Sequence, residues 1–458
     1  MSDPAPEGGP GGSGSGRVSS MDEITHRRVL NVALPIVLSN ATVPILGAVD
    51  TGVVGQMGLA APIGAVGIGA VIVTSIYWIF GFLRMGTTGL AGQALGARQE
   101  AEVTAILTRA VLTGLAGGLL VVALQWPLFR GAFLLSPASP EVEGLARGYM
   151  AIRVWSAPAA IAIFGVTGWL IALERTRAVL VLQLWMNGVN IVLDLWFVLG
   201  LGWGVNGVAF ATFLAEWSGL ALALWLCRDA FAGRAWRDRA RVFDAARLKR
   251  MLTVNADILI RSLLLMAIFV SFLFVGADFG DVTLAANHIL LQFIEITAFA
   301  LDGFAFAAES LVGQAVGAAS VPRLRRAIRL ASLWAVLGCV LLTLAFWLGG
   351  EAIVALMAKS PEVQAAAGVY LPYMLAVPLL GLASWMLDGI FIGATRTADM
   401  RNMAVLSTGA YALAALALVP AYGNHGLWLA FLFSFVARAA TLGARYPALE
   451  RSVGKQTL

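Results

Sequence analysis

The chain contains 458 residues, of which 59% are hydrophobic and 12% are charged, and its formal net charge is +5. Soluble domains carry about 25% charged residues. The composition therefore excludes an ordinary soluble protein and indicates a polytopic membrane protein. Its positive charge needs no nucleic acid as a partner, because the basic residues follow the membrane pattern described below.

The first twenty residues differ from the rest of the chain, which consists mainly of apolar segments. Residues 1–20 include the low-complexity run GGPGGSGSG, which predicts a disordered tail. A bilayer core needs about 20 apolar residues per spanning helix. Twelve segments meet this requirement: residues 29–52, 64–89, 103–126, 147–173, 178–200, 204–226, 251–275, 284–308, 327–348, 365–393, 402–420 and 424–442. They are too long and continuous for a transmembrane β-barrel, so the predicted fold is all-α, with twelve transmembrane helices.

The first predicted helix carries one carboxylate, Asp50, within the apolar run ILGAVDTGVVG. A centrally placed Asp costs about 2.5 to 3.5 kcal/mol on translocon-insertion scales, and such residues are usually functional. Pro35 and Pro44 precede it on the same helix. Because each proline removes a backbone hydrogen bond and permits a kink, we predict that helix 1 bends when the charge of Asp50 changes.

Two further helices of the first half carry polar residues at helical spacing. Asn190 and Asp194 are four residues apart on helix 5, and Thr212 and Glu216 are four apart on helix 6, so each pair shares one face. Together with Asp50 they predict a cation-coupling site. Burial and a second nearby carboxyl group both favour the neutral form of a carboxyl, which suits a proton, whereas Asn, Asp and Thr oxygens suit sodium. A structural role also stays open, most of all for Glu216.

Charged residues in the second half follow a different pattern. Asp257 and Arg261 are four residues apart on helix 7 and are predicted to neutralise each other. Asp302 and Asp388 each lie in a Leu-Asp-Gly sequence and are expected either to line a cavity or to brace helix ends. Arg84 on helix 2 is expected to pair with an acidic residue that the sequence does not identify.

Basic residues predict the orientation of the chain. If the N-terminal tail is cytoplasmic and the helices alternate, 25 of the 31 Lys and Arg residues lie on the cytoplasmic side. Arg130, Arg147, Arg153 and Lys359 lie outside, and Arg84 and Arg261 lie within helices. This is the positive-inside pattern of a multi-pass inner-membrane protein with both termini in the cytoplasm.

The chain repeats itself with a period near 221 residues. GQALGA (92–97) returns as GQAVGA (313–318), and RVLNVALPIVL (28–38) aligns with RMLTVNADILI (250–260). Six helices are an even number, so both halves have the same orientation and are related by an axis along the membrane normal. Parallel repeats of this kind are typical of secondary transporters, with the substrate path between the repeats.

The repeat divides the chain into domains, with the monomer as the expected state of two complete halves in one chain. We predict a disordered tail (1–20), an N-lobe (21–227), a basic cytoplasmic linker (228–250), a C-lobe (251–442) and a cytoplasmic C-terminal tail (443–458).

Other function classes fit the sequence less well. His26, His288 and His425 are far apart and Cys227 and Cys339 are isolated, so neither a catalytic set nor a metal site is predicted. A primary pump would need a Walker-type loop, and a channel does not explain the repeat. A flippase for lipid-linked cargo is the alternative transporter. Its anionic cargo would need several basic residues in the cavity, whereas only two are predicted inside helices.

These residues carry a resemblance to a known family. LPIVLSNATVPILGAVDTGVVGQMG (34–58), FLRMGTTGLAGQALGA (82–97), NIVLDLWFVLGL (190–201), ALDGFAFAAESLVGQAVGA (300–318) and LDGIFIGATRTADMRN (387–402) resemble segments of the multidrug and toxic compound extrusion (MATE) family, in particular its DinF-like branch. The resemblance spans all twelve predicted helices and leaves out the first twenty residues.

The resemblance implies two six-helix lobes around a V-shaped cavity that opens alternately to each side. It implies antiport of organic cations or amphipathic drugs against protons or sodium, without another cofactor. The family's coupling residues match Asp50, Asn190, Asp194 and Thr212, and its bending proline matches Pro35. Asp257 beside Arg261 resembles the DinF-like pattern, which favours protons.

Overall fold

The computed structural model describes residues 23–56, 58–135 and 139–455. Within these ranges, twelve helices are long and apolar enough to cross a membrane. We number them in chain order as α1 His26–Gly55, α2 Ala60–Gly96, α3 Glu100–Ala123, α4 Pro140–Ala172, α5 Thr176–Gly200, α6 Gly204–Leu226, α7 Ala245–Ala277, α8 Asp281–Gly317, α9 Val321–Met357, α10 Pro361–Gly393, α11 Thr397–Tyr422 and α12 Asn424–Lys455. Each predicted segment coincides with one helix, so the predicted all-α membrane fold is confirmed.

The observed helices are longer than the apolar segments that predicted them. α8 and α9 contain 37 residues each, or about 55 Å at the usual rise per residue, against a hydrocarbon core of about 30 Å. Their polar ends therefore project beyond the membrane, where hydropathy gives no signal. For the same reason α12 continues to Lys455 instead of ending at residue 442. The predicted tail 1–20 lies outside the described residues.

Several helices are interrupted where the backbone changes its winding. α1 consists of His26–Ala41 and Val43–Gly55, which meet at Thr42. Pro44 opens the second segment, where a missing N–H is tolerated, whereas Pro35 lies inside the first segment. α4 contains a 3-10 turn at Val154–Ser156, and α5 ends in a π-helical turn at Leu195–Gly200. These interruptions all lie in the N-lobe.

The linker between the halves is compact. It forms three short helical turns, Arg228–Phe231, Ala235–Arg237 and Arg239–Val242. The first packs against the end of α6, and the other two lie beside α3. Arg109, counted among the residues of the cytoplasmic side, is buried within α3. It donates to the carbonyl oxygens of Val242 (2.8 Å) and Arg241 (2.7 Å) and to Glu102. The linker is thus fastened to the N-lobe.

The packing of the core crosses the boundary between the two halves. Most of the first half forms one apolar cluster, which also takes in Met251, Val254 and Ile258 from the start of α7. A second cluster in the C-lobe takes in Val29 and Val32 from the start of α1. Each lobe therefore begins with a helix whose first turns pack against the other lobe.

The two lobes meet at the end of the bundle that holds both termini, which we call the terminal face. Ile24 and Val453, near the two ends of the described chain, pack in the same apolar cluster there. The first segment of α1 and the last turns of α2 pack against α8 at this end. Val43–Gly55 and Ala60–Trp78, farther from the terminal face, pack mainly within the N-lobe, so the lobes separate towards the opposite face.

A glutamine from each repeat closes the terminal face. The Gln93 amide donates to the Gly393 carbonyl (3.3 Å) and to the Thr395 hydroxyl (2.9 Å). The Gln314 amide makes the equivalent contacts at the positions 221 residues away. It donates to the carbonyl oxygen of Ala172 (3.0 Å) and to the carboxylate of Glu174 (2.9 Å). The predicted sequence repeat is therefore a repeat of contacts as well.

Glycine permits the close approach of the lobes on the pseudo-two-fold axis. A Cβ on Gly96 would lie 2.0 Å from the Gln314 carbonyl oxygen, and one on Gly317 would lie 2.0 Å from that of Gln93. Any larger residue would push the two backbones apart. This steric requirement explains why the second glycine of the GQALGA sequence returns in GQAVGA.

Candidate ion-coupling site

The four predicted coupling residues come together between α1, α5 and α6. In the orientation that satisfies its neighbours, the Asn190 amide nitrogen donates to Asp50 Oδ1 (3.0 Å) and Asp194 Oδ2 (3.1 Å). The Asn190 oxygen accepts from the Thr212 hydroxyl (2.9 Å). One amide therefore bridges two carboxyl groups and is itself oriented by a hydroxyl on the neighbouring helix.

The two carboxyl groups of this site also contact each other. Asp50 and Asp194 share one donor, the Asn190 amide nitrogen, and they act on each other directly. Two carboxylates this close repel each other when both are ionised, so the arrangement favours one shared proton. Asp194 is fully buried and Asn190 is 1% exposed, whereas Asp50 is half-buried. Asp50 is therefore the member of the pair that solvent reaches.

Asn187 belongs to the same helix face but was missed by the sequence reasoning. It lies one turn before Asn190 on α5, and it donates to the Thr42 hydroxyl (2.9 Å). Gln183 in turn donates to Asn187 (3.0 Å). A polar stripe on α5 thus reaches the break in α1. The sequence did contain a signal for Asn187: it lies three residues before Asn190 and therefore on the same face of the helix.

Glu216 does not join the Asp50–Asp194 pair directly. Its carboxylate accepts from Arg153 of α4 (3.1 Å), which also donates to the hydroxyl of Tyr149 (2.9 Å). The predicted position of Arg153 on the outer side was wrong, because α4 begins at Pro140 and carries Arg153 into the interior. A hydrophobicity scan uses only the local sequence and contains no information about a buried partner on another helix. It therefore places a lone arginine at a helix end.

The predicted Asp257–Arg261 pair is also wrong. Asp257 accepts from Arg401 (2.5 Å) and Thr397 (3.0 Å) of α11. Arg261 instead pairs with Asp388 of α10. Although residues four apart on a helix can meet, both side chains here point towards neighbouring helices that offer closer partners.

Asp388 is held by two guanidinium groups. Besides Arg261, it binds Arg438 of α12 at 2.9 Å, and all three side chains are buried. Arg438 is among the residues predicted to lie on the cytoplasmic side. It is instead buried inside α12, because Asp388 on the neighbouring α10 supplies a counter-charge there.

Arg84 and Asp302 lie where the lobes meet. Arg84 of α2 pairs across the lobe boundary with Glu309 of α8 (2.9 Å), and its guanidinium covers the ring of Phe306 at 3.9 Å. Asp302, one helical turn before Phe306, is half-buried, and the charges of Arg84, Glu309 and Arg261 act on it. The unidentified partner of Arg84 is therefore Glu309.

The charges of the two membrane-embedded clusters do not balance in the same way. The C-lobe cluster combines three carboxyl groups with three guanidinium groups: Asp302, Glu309, Asp388, Arg84, Arg261 and Arg438. The N-lobe cluster combines three carboxyl groups with one guanidinium: Asp50, Asp194, Glu216 and Arg153. Within the described residues, no three His, Cys, Asp or Glu side chains are grouped to hold a metal ion.

Comparison with known proteins assigns the family. The MatE family model matches residues 35–196 and 258–418, which includes Asp50, Asn190, Asp194 and Asp388. The chain belongs to the MatE family. The predicted MATE resemblance is therefore confirmed, and the chain is a membrane transporter of this family, not an enzyme.

Individual relatives of this MATE transporter cover nearly the whole chain. It is 37% identical to the DNA damage-inducible protein F of Escherichia coli over 92% of both chains. It is 25% identical to the probable multidrug resistance protein NorM of Pseudomonas aeruginosa over 90% of this chain and 87% of the relative. The crystal structure of the Vibrio cholerae MATE transporter VcmN in the bent form superposes with a TM-score of 0.83 at 18% identity, covering 93% of this chain and 97% of that chain.

Proposed function

We propose that this MATE transporter exports drugs or toxic organic cations in exchange for protons, which bind at Asp50 and Asp194. The observation that carries the proposal is the convergence of these two carboxyl groups on the single amide of Asn190. Two ionised carboxylates at this separation repel each other, so binding or loss of a shared proton changes the forces between α1 and α5. Because Asp50 is half-buried on the broken helix α1, the proton has a route to solvent.

The charge distribution supports a cationic or amphipathic cargo. The sequence predicted two arginines inside helices, and Arg109, Arg153 and Arg438 raise that number to five. Each of the five is paired with a carboxylate. A flippase of anionic lipid-linked cargo needs basic groups that are free to bind it, so the additional arginines give that alternative no support.

The closed terminal face supports alternating access. We assign this face to the cytoplasm from the positive-inside pattern of an inner-membrane protein, with one chain as the complete transporter. In the described conformation the lobes are joined there and separated towards the opposite side. Export requires the glutamine contacts of Gln93 and Gln314 to open. The break of α1 at Thr42, just before Pro44, is the point at which we expect that helix to bend, with Pro35 as a second point.

A reconstitution experiment tests the proposal. Wild type and Asp50→Asn are placed in liposomes with an acidic lumen, without sodium, and uptake of a fluorescent organic cation is followed. We expect the wild type to accumulate the dye and Asp50→Asn to bind it without transport. Asp229→Asn is the matched control, because Asp229 is an exposed linker carboxylate that pairs with Arg175. This variant should transport like the wild type.

Two results would contradict proton coupling at this site. Equal transport by wild type and Asp50→Asn would mean that the coupling group lies elsewhere. Transport that starts only when a sodium gradient replaces the proton gradient would make the same oxygens a sodium site.

A further inference from the structure

A buried ion pair lies beside the proposed proton site and has no part in the mechanism described so far. The Arg153 side chain is 7% exposed and that of Glu216 is 18% exposed. The backbone of Arg153 is held in place as well, because its carbonyl oxygen accepts from the hydroxyls of Tyr77 and Ser156, both at 2.7 Å. The Arg153 side chain therefore extends from a fixed position on α4, next to the 3-10 turn.

Around this ion pair, both a hydrogen-bond donor and hydrogen-bond acceptors are left unused. Arg153 Nε, Glu216 Oε2 and Asp194 Oδ1 are each buried without a hydrogen-bonding partner. A buried polar group without a partner is destabilising, because it has lost its hydrogen bonds to water. One unused donor and two unused acceptors in one cluster indicate a second arrangement in which the donor is used. A guanidinium has five N–H groups, so Arg153 can serve two carboxyl groups at once.

The charge of Arg153 reaches the proton site. It acts on the carboxyl groups of both Asp50 and Asp194. The charged and titratable groups around it are Asp50 on α1, Tyr77 on α2, Tyr149 on α4, Asp194 on α5 and Glu216 on α6. None of the others carries a positive charge. Arg153 is thus the cation available when the aspartate pair loses its shared proton.

We infer that Arg153 is a positioning residue of the coupling site, whose guanidinium is shared between Glu216 and the Asp50–Asp194 pair. While the pair holds its proton, Arg153 is bound to Glu216, as observed. When the proton leaves to solvent, the second negative charge draws the guanidinium towards Asp194, and Glu216 competes for it. The inference rests on the proposed function, because it concerns the proton affinity of the same site.

The pH dependence of transport separates this role from a merely structural one. Removing the cation in Arg153→Gln should make the aspartate pair hold its proton more tightly, moving the pH of half-maximal transport upward by about one unit, the usual size of such an effect. Removing the competitor in Glu216→Gln should release Arg153 towards the pair and move the midpoint downward. A structural ion pair would lower the amount of active protein in both variants without opposite shifts.

Further variants separate a shift of the pH midpoint from a loss of folded protein. Arg153→Lys keeps the charge and should restore the wild-type midpoint. Arg153→Gln combined with Glu216→Gln leaves no unpaired charge and should still move the midpoint upward, because the cation acting on the pair is gone. Arg147→Gln is the matched control: Arg147 lies on the same helix, is exposed and pairs with Glu143, so solvent screening should leave the midpoint unchanged.

The outcomes distinguish the inference from the function on which it rests. Opposite shifts in Arg153→Gln and Glu216→Gln support it. Midpoints equal to that of the wild type, or shifted in the same direction, overturn it while leaving proton coupling intact. If Asp50→Asn keeps the pH-dependent transport of the wild type, the proposed function itself fails.

Discussion

In the C-lobe, the carboxylate of Asp388 is held by two buried guanidinium groups, whereas in the N-lobe the Asp50–Asp194 pair is held by the neutral amide of Asn190. A charged group in a membrane interior needs a counter-charge, because its desolvation is costly. Arginine supplies a permanent one, since it does not lose its proton in proteins. A proton supplies an exchangeable one. The same residue type can therefore be a brace in one lobe and a coupling group in the other.

The largest effect should come from removing the acid of the C-lobe. Asp388→Ala leaves Arg261 and Arg438 buried without a counter-charge, and breaking a buried pair costs about 3–5 kcal/mol. We expect a strongly lowered unfolding temperature and little monodisperse protein in detergent. Replacing all three residues by methionine should recover most of the stability, because a well-packed apolar cluster replaces a buried ion pair at little cost. If Asp388→Ala melted like the wild type, the carboxylate would not be the brace that we describe.

The N-lobe should respond in activity instead of stability. Asp194→Asn keeps a neutral group of the same shape beside Asn190 and Asp50, so the unfolding temperature should change little. Proton-driven dye transport should fall about 100-fold, which corresponds to about 2.7 kcal/mol, because the shared proton is lost. A variant that loses stability as Asp388→Ala does, or that keeps full transport, would erase the difference between the lobes.

The smallest effect should distinguish the two repeats at the terminal face. Arg28 donates to the carboxylate of Glu174 (2.5 Å), whereas the aligned Arg250 donates to the neutral side chains of Gln93 (2.7 Å) and Thr395 (3.4 Å). We expect Glu174→Gln to weaken the closed state by about 1 kcal/mol, or roughly fivefold. Thr395→Val should weaken the closed state less, since a hydrogen bond between neutral groups contributes less to stability than one to a charged group.

Cysteine labelling measures this opening. Ser310→Cys places a thiol at the closed face, where Ser310 is buried and contacts the Ala172 carbonyl. Alanine replaces Cys227 and Cys339, which are both buried. The labelling rate with a water-soluble maleimide should rise about fivefold in Glu174→Gln and by a smaller factor in Thr395→Val. The reverse order would mean that the ion pair does not decide how firmly the face is closed.

The candidate site was predicted in part, and the reason differs between residues. Asn190 and Asp194 could be found because a helix brings residues four apart to one face, and their partners were the few other polar residues in apolar segments. Arg153 was misplaced because its partner Glu216 lies 63 residues away on another helix. The same four-residue spacing that served on α5 failed for Asp257 and Arg261, since spacing permits a contact and does not require one.

The sequence by itself determined the number of helices, their order and the repeat of period 221, because hydrophobicity over about 20 residues and the local order of motifs are properties of the chain alone. The tertiary structure decided which charges meet. The two arginines of Asp388 lie 127 and 50 residues away from it in the chain. Such pairs depend on how helices pack side by side, and the same packing gives Asp388 two guanidinium partners while it gives Asp50 and Asp194 a neutral amide.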